Sequence, residues 1–158
     1  MHFKSSLGKL ACAVNPSKEL SVDVIPYLHF NGNCAEAFAL YETLLGGKVI
    51  LMSKYSDSPM ANDMPAEMKD KVIHISMQIG NTVLMGSDAP PHHYAKPQGF
   101  SASVGVKTPA EADRVFAGLA EGGSITMPID KTFWSPRFGM CVDRFGVPWM
   151  VNCDPAAA

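Results

Sequence analysis

Hydrophobic and polar residues alternate along several short segments of the chain, a pattern typical of β-strands that bury one face. In the first half, the pattern predicts strands over residues 22–30, 48–54, 72–79 and 82–85. Between the first two strands, hydrophobic residues at helical spacing predict a helix. Asn33 is expected to cap this helix, with Glu36 completing a capping-box-like pair, and Gly46-Gly47 to end it.

The second half of the chain repeats this order. Strands are predicted over residues 100–106, 124–129, 138–142 and 147–152. Thr108 is expected to cap the second helix, which carries Pro109 at its first position and ends at Gly122-Gly123. The repeat is longer than the roughly 20–50 residues of a solenoid unit, so it indicates a duplicated half-domain.

This pattern predicts one domain over residues 22–153, built from a module at about 22–90 and a second at about 99–153. Residues 1–21 are expected to form a flexible extension and residues 154–158 a tail. With 158 residues, of which 47% are hydrophobic, the chain is long enough to bury one sizeable core.

Alternation also predicts which strand residues face a ligand. In the third strand Ile75 and Met77 oppose His74 and Ser76, and the hydrophobic side is expected to pack on the helix. The set assigned to that polar face of the third strand is Val72, His74, Ser76 and Gln78. In the last strand Trp149 opposes Met150. The polar or small faces are therefore expected to line a half-open pocket, with Trp149 in the core.

Composition narrows the functional classes. The net charge of -2 comes without clustered Lys or Arg, so neither nucleic acid nor an anionic membrane is an expected partner. No hydrophobic stretch approaches the ~20 residues of a spanning helix. The four cysteines form no C-x-x-C pair, and the hydrophobic stretch near residues 10–14 is too short for an export signal. A soluble cytoplasmic protein with reduced thiols is expected.

Five segments, taken together, resemble the PhnB-like branch of the vicinal-oxygen-chelate superfamily, which includes glyoxalases, bleomycin-resistance proteins and extradiol dioxygenases. They are 27–33 (YLHFNGN), 45–47 (LGG), 85–88 (MGSD), 132–134 (TFW) and 143–150 (DRFGVPWM). The likeness covers about residues 22–152. It implies an α+β fold in which two βαβββ modules form a half-open, cup-shaped mixed sheet, usually in a homodimer.

Metal-using members of that superfamily place His, Glu or Gln at four strand positions. In this chain those positions fall at or beside Pro26, Met85, Ser101 and Met150. None of these residues is a good ligand for a hard divalent ion, so no metal or other cofactor is expected. A one-residue shift in the first strand would bring His29 inward toward His74. A divalent metal bound by these two histidines therefore remains an alternative.

His74 is the candidate catalytic residue, as a general acid or base, although it would equally serve as a hydrogen-bond partner for a neighbouring strand. Trp134 is expected to form a pocket wall and Arg137 to contact an anion, while Asp143 is expected to shape its turn. The residues expected to contact a ligand are Leu28, His29, Phe30, Ser76, Gln78, Met85, Ser87, Asp88, Ser101, Ser103, Phe133, Trp134, Arg137, Met150 and Asn152.

Two functions remain open at this point. The sequence lacks the motifs of nucleotide-binding proteins, zinc proteases and serine hydrolases, and it has no glycine-rich loop for a methyl donor. The resemblance favours a dimeric, metal-free protein that holds a small molecule in a cup between its modules. The alternative is an enzyme, metal-dependent through His29 and His74 or acid-base through His74 with Ser76 and Asp88, acting as an isomerase or lyase on a carbonyl or phosphonate compound.

Overall fold

The computed structural model describes residues 22–154. The expected extension over residues 1–21, including Cys12, lies outside the described residues, as does most of the expected tail. Asp154, which was assigned to that tail, donates its backbone N–H to the carbonyl of Val106 at 2.9 Å and so belongs to the folded part.

Each half of the chain contains four strands and one helix, in the same order. The first half consists of β1 (Tyr27–Phe30), α1 (Cys34–Leu45), β2 (Lys48–Lys54), β3 (Val72–Ile79) and β4 (Thr82–Asp88). The second consists of β5 (Ala102–Val106), α2 (Pro109–Ala120), β6 (Ser124–Asp130), β7 (Phe138–Val142) and β8 (Pro148–Cys153). Two single turns of 3-10 helix, Tyr55–Asp57 and Ala66–Met68, interrupt the long connection between β2 and β3.

The two sheets have the same topology. The strand orders are β1-β4-β3-β2 and β5-β8-β7-β6, with the first strand of each module parallel to the last and all other pairs antiparallel. This arrangement confirms the α+β fold of two βαβββ modules.

The strand boundaries differ from the predictions at two places. β1 begins at Tyr27 rather than at residue 22, and only a single hydrogen bond, from the Met85 N–H to the Pro26 carbonyl, extends the pairing upstream. Proline has no N–H to donate to a ladder, which weakens strand structure at Pro26. β4 continues past the predicted Met85 to Asp88, because β1 pairs with it over that length.

One hydrophobic core lies on the helix side of both sheets. Ile75 and Met77 of β3 and Trp149 of β8 are buried in it, as their strand positions predicted. Val72 is also in this core, with 2% of its surface exposed, although alternation placed it on the opposite face. The β2–β3 register shifts between Ser53 and Lys54, beside Val72, and this irregularity interrupts the alternation.

Asp143 joins the two modules inside this core. Its buried carboxylate accepts hydrogen bonds from the Tyr41 hydroxyl of α1 at 2.5 Å and from Trp149 Nε1 at 2.8 Å. It also accepts the backbone N–H groups of Phe145 and Val147, each at 2.9 Å. The expected turn-shaping role of Asp143 is therefore confirmed, and the same carboxylate anchors a side chain from the other module.

The start of α1 is held differently from the prediction. Asn33 precedes the helix, but its side chain makes no capping hydrogen bond. Instead, Asp88 at the end of β4 accepts the N–H of Cys34 at 2.9 Å through Oδ1 and the N–H of Val72 at 3.0 Å through Oδ2. In α2 the predicted cap is confirmed, since the Thr108 hydroxyl accepts the N–H of Glu111 at 3.2 Å.

The two Gly-Gly pairs have the same structural roles: the first glycine ends the helix and the second lies close to the sheet. The first glycine adopts a left-handed backbone, with φ of 66° at Gly46 and 72° at Gly122. The second lies against the sheet, where a Cβ on Gly47 would be 2.9 Å from the sulfur of Met77. On Gly123 a Cβ would overlap the carbonyl oxygen of Val142, which is backbone and cannot rotate away.

We expect Gly123→Ala to lower the free energy of unfolding by about 2–4 kcal/mol, because β7 must shift to make room. Gly105→Ala is the matched control, since a Cβ there meets no atom within 4 Å. Urea unfolding of both variants checks this. A Gly123→Ala protein as stable as Gly105→Ala would contradict the close approach.

Candidate functional site

The concave face of the first sheet, opposite the helix, carries a row of aromatic and polar side chains. Tyr27 of β1 pairs with Met85 of β4, which in turn pairs with Ser76 of β3, so the three side chains share this face. His29 pairs with Ser87 in the next row. His74 lies two residues before Ser76 and therefore points to the same side.

Tyr27, His29, His74 and Ser87 contact one another, and we call them the Tyr27 cluster. The Tyr27 hydroxyl lies 3.1 Å from Nδ1 of His74, and the two rings stack with centroids 5.7 Å apart. The ring centroids of Tyr27 and His29 are 5.2 Å apart, and Nδ1 of His29 lies 3.5 Å from the Ser87 hydroxyl. Tyr27 is 39% exposed and His29 is exposed, so the cluster is open to solvent.

Each imidazole of the cluster keeps one ring nitrogen for another partner. The hydrogen bonds just described use Nδ1 of His29 and Nδ1 of His74. Within residues 22–154, Nε2 of either ring has no hydrogen-bond partner. A neutral imidazole donates through one nitrogen and accepts through the other, so these two atoms can bind donors or acceptors on a ligand.

The concave face of the second sheet is less polar. Ser103, Met150 and Met140 share it across β5, β8 and β7, and Asn152 pairs with Phe138 in the next row. Trp134 stacks edge-on against Phe138 with ring centroids 5.2 Å apart, so it lies at the end of this face. Phe133, beside it, is 97% exposed.

A cleft of about 1140 Å³ lies between the modules. Gln78 and the β3–β4 turn form one wall, and Ser101 and Ser103 lie on the other, along β5. Gln78 is turned back onto the hairpin, because its Nε2 donates to the carbonyl of Gly80 at 2.7 Å. The Tyr27 cluster lies outside this cleft, so the predicted ligand contacts are distributed over the two concave faces and the cleft rather than gathered in one pocket.

Three of the predicted ligand contacts lie in the core instead. Leu28 and Phe30 are 1% and 0% exposed and pack on the helix side of β1. Alternation is the reason, because residues on either side of His29 must point away from the face that His29 occupies. Asp88 is 1% exposed and is used by the hydrogen bonds to Cys34 and Val72.

Arg137 does not line the concave face either. Its Nε lies 3.2 Å from a carboxylate oxygen of Asp113 on α2, and its guanidinium lies 3.8 Å from Asp130 at the end of β6. Because α2 packs on the core side of the sheet, Arg137 is held there between two carboxylates. The structure thus places Arg137 away from the concave face on which its contact with an anion was predicted.

Tyr27 is the site residue that the sequence analysis missed. It stands in the segment 27–33 that carries the family resemblance, and strand alternation places it with His29 rather than with Leu28. Leu28, His29 and Phe30 were all expected to contact a ligand, although alternation allows only His29 of the three to share a face with Tyr27. The loop residues His92 and His93 are exposed and take no part in the cluster.

The Tyr27 cluster does not match the donor set of a divalent metal site. His29 and His74 both lie on the concave face, but β4 separates their strands, so their backbones are about 9–10 Å apart. The Tyr27 ring contacts both imidazoles, and the neighbouring donors are hydroxyls and thioethers. Among residues 22–154, no three His, Cys, Asp or Glu side chains converge on one point.

Buried thiol and phenol groups on the core side make the free energy of unfolding depend on pH in the alkaline range. Burial raises the pKa of the Cys141 thiol from 9.0 to about 11, with the charge of Asp143 adding to the rise. Burial likewise raises the pKa of Cys34, helped by Asp88, and of Tyr41, helped by Asp143. The folded state thus keeps protons that the unfolded state releases, and stabilisation present below pH 9 is lost as the pH rises toward 11.

We therefore expect the free energy of unfolding to fall by about 2 kcal/mol or more between pH 8 and pH 11. Urea unfolding at each pH, under reducing conditions, measures this. In Cys141→Ala the fall over the same interval should be smaller. Stability independent of pH up to 11 would contradict the assignment.

The paired modules and their concave faces define a protein of the vicinal-oxygen-chelate type. A family model described as 3-demethylubiquinone-9 3-methyltransferase matches residues 22–152, and the chain belongs to this PhnB-like family. Protein YjdN from Escherichia coli K12 is 35% identical over 135 residues, which cover 80% of this chain and 92% of YjdN. No helix of the described residues is long and hydrophobic enough to cross a membrane.

Solved structures agree with this assignment. Protein PA1353 from Pseudomonas aeruginosa is 49% identical, covers 85% of this chain and 98% of its own, and superposes with a TM-score of 0.78. The PhnB protein from Bacillus cereus is 26% identical over 84% and 99% of the two chains, with a TM-score of 0.72. FosX from Listeria monocytogenes, crystallised with Mn(II) and a dihydroxypropylphosphonic acid, shares the fold at 9% identity over 87% and 95%, with a TM-score of 0.60.

Proposed function

We propose that this protein binds a small molecule on the concave face of its first sheet, at the Tyr27 cluster, without the metal that other members of the superfamily use. The observation that supports this most is the solvent-facing pair of imidazoles on either side of Tyr27. Such rings offer a ligand aromatic faces and, through their Nε2 atoms, hydrogen-bonding partners.

The surrounding contacts would hold these rings in fixed positions for a ligand. The bond to His74 orients the Tyr27 hydroxyl, and the contact with Ser87 orients His29. Ser76 and Ser87 are 4% and 7% exposed, so they form the floor of the site below the rings. Rings that are already ordered lose little conformational freedom when a ligand binds, which favours affinity.

Metal independence follows, in this proposal, from the donor set. A tight divalent site needs imidazole or carboxylate ligands about 2.0–2.2 Å from the ion. On the concave face the two imidazoles lie on separate strands, with Tyr27 between them. The carboxylate that directly follows the cluster residue Ser87 in the sequence is Asp88, and it faces the core. A ligand would be bound by hydrogen bonds and ring contacts instead.

A thermal-shift screen of a metabolite library on chelator-treated protein tests the proposal. We expect at least one small molecule to raise the melting temperature progressively as its concentration increases, because a ligand that binds only the native state stabilises it by RT ln(1 + [L]/Kd). The same compound should have no effect on Tyr27→Ala. If stabilisation required added divalent metal, or persisted in Tyr27→Ala, the proposal would be wrong.

An enzymatic function is the second candidate, and the Tyr27–His74 hydrogen bond favours it. The Tyr27 hydroxyl engages Nδ1 of His74, which leaves Nε2 of that ring available to exchange a proton with a substrate. The earlier grouping of His74 with Asp88 is not supported, because Asp88 lies in the core. Turnover of a screened carbonyl compound that disappears in His74→Ala would favour this candidate over simple binding.

The homodimer stays a prediction. The outermost strand of the first sheet, β2, exposes 58% of Ile50, 52% of Leu51 and 50% of Met52. Contiguous hydrophobic residues on an edge strand are usually covered by another surface. A molar mass of twice the chain mass by light scattering would support a dimer.

A further inference from the structure

The charge of the concave faces restricts the chemistry of a ligand, provided that the proposed binding site is correct. Among the strand residues that share the face of the Tyr27 cluster, the permanently charged side chain is Lys48, at the far end of β2. On the second sheet the register gives Asp130, at the end of β6, but its carboxylate lies 3.8 Å from Arg137, which is held on the helix side. The centre of each face is therefore uncharged.

A charged ligand would lose hydration on such a surface without gaining a fixed counter-charge. The transfer of an ion away from water is expensive unless an opposite charge compensates for it. A neutral polar group needs only hydrogen bonds, and Nε2 of His29 and of His74 can supply them. The surface therefore favours a neutral ligand.

The shape of the surface adds a second restriction. The Tyr27 ring lies 29° from parallel to the His74 ring, and the thioether of Met85 stands beside it. Leu51 lies across β3 from this row, next to Ser76, and is 52% exposed. Rings, a thioether and an aliphatic side chain make a broad surface on which a flat ring has more contact than a puckered one.

We infer that the ligand of the Tyr27 cluster is an uncharged, planar ring compound carrying a carbonyl or hydroxyl group, whose oxygen is bound by Nε2 of His29 or of His74. This inference deepens the proposed function and rests on it. The ring would lie against Tyr27 and Met85, with its oxygen directed to the imidazoles.

Three probes of similar size separate these features. Benzamide is flat and neutral, benzoate is flat and anionic, and cyclohexanecarboxamide is neutral but puckered. Titration of each into the full chain, followed through the imidazole NMR signals at about pH 8, measures affinity and location together. We expect benzamide to shift the signals of His29 and His74 and to bind at least fivefold more tightly than the other two.

The outcomes are distinguishable. If benzoate binds more tightly at the same histidines, the site prefers an anion, and this inference fails while the proposed site stands. If cyclohexanecarboxamide binds as tightly as benzamide, planarity is not selected, and the inference fails in the same way. If no probe moves these signals and the library screen also finds no ligand, the proposed function fails. In His93→Ala, which alters an exposed loop histidine, benzamide should bind as in the parent.

Discussion

Replacing Asp143 with alanine is expected to destabilise the protein by about 4–6 kcal/mol, the largest effect of any single substitution considered. The change leaves four buried donors without an acceptor, two from backbone and two from the side chains of Tyr41 and Trp149. Each such group costs about 1–3 kcal/mol. For a chain of this size the melting temperature should fall by about 8–24 °C.

Asp63→Ala is the control, because Asp63 is exposed and its side chain makes no hydrogen bond within residues 22–154. It should change stability by no more than about 0.5 kcal/mol. If Asp143→Ala does not fold, Tyr41→Phe gives a graded test, with an expected loss of about 1–3 kcal/mol from one bond to a charged acceptor. Equal stability of Tyr41→Phe and the parent would show that Asp143 does not join the modules.

Replacing both His29 and His74 with alanine is expected to weaken binding of the best compound from the screen by about 30-fold. Two hydrogen bonds of roughly 1 kcal/mol each account for this factor. Both side chains lie on the open concave face rather than in the core, so the free energy of unfolding should change by less than about 1 kcal/mol. Isothermal titration and urea unfolding measure the two quantities separately.

The matched control is the double variant His92→Ala, His93→Ala, which removes two exposed histidines from the loop after Pro91. It should bind the compound as the parent does. Equal losses in the two double variants would indicate a general effect of histidine content, and unchanged binding in His29→Ala, His74→Ala would place the site elsewhere.

The fold could be predicted because the same pattern of strands and helix occurs in both halves of the sequence. Both helices begin within a residue of their predicted starts, and both Gly-Gly pairs follow a helix with the first glycine left-handed. These signals are local, since caps, glycines and alternation act within a few residues. The capping of α1 was missed because Asp88, which supplies it, is 54 residues away from Cys34.

The site was less predictable, because residues that are distant in the sequence also determine where its side chains lie. Strand alternation identified His74 and Ser76 correctly as concave, but whether β1 presents Leu28 or His29 depends on a register that pairing with β4 sets. Arg137 was assigned to the pocket because its segment looked irregular, whereas Asp113 and Asp130 hold it on the other side. Long-range pairing of charged groups leaves no signal at the position of either partner.

The most direct test of the account is a crystal structure of the metal-stripped protein with the best compound from the screen. We expect the compound to lie against Tyr27, with an oxygen or nitrogen within hydrogen-bond distance of Nε2 of His29 or His74 and no metal ion between them. A compound bound elsewhere, or one bound only through an ion held by protein side chains, would contradict it.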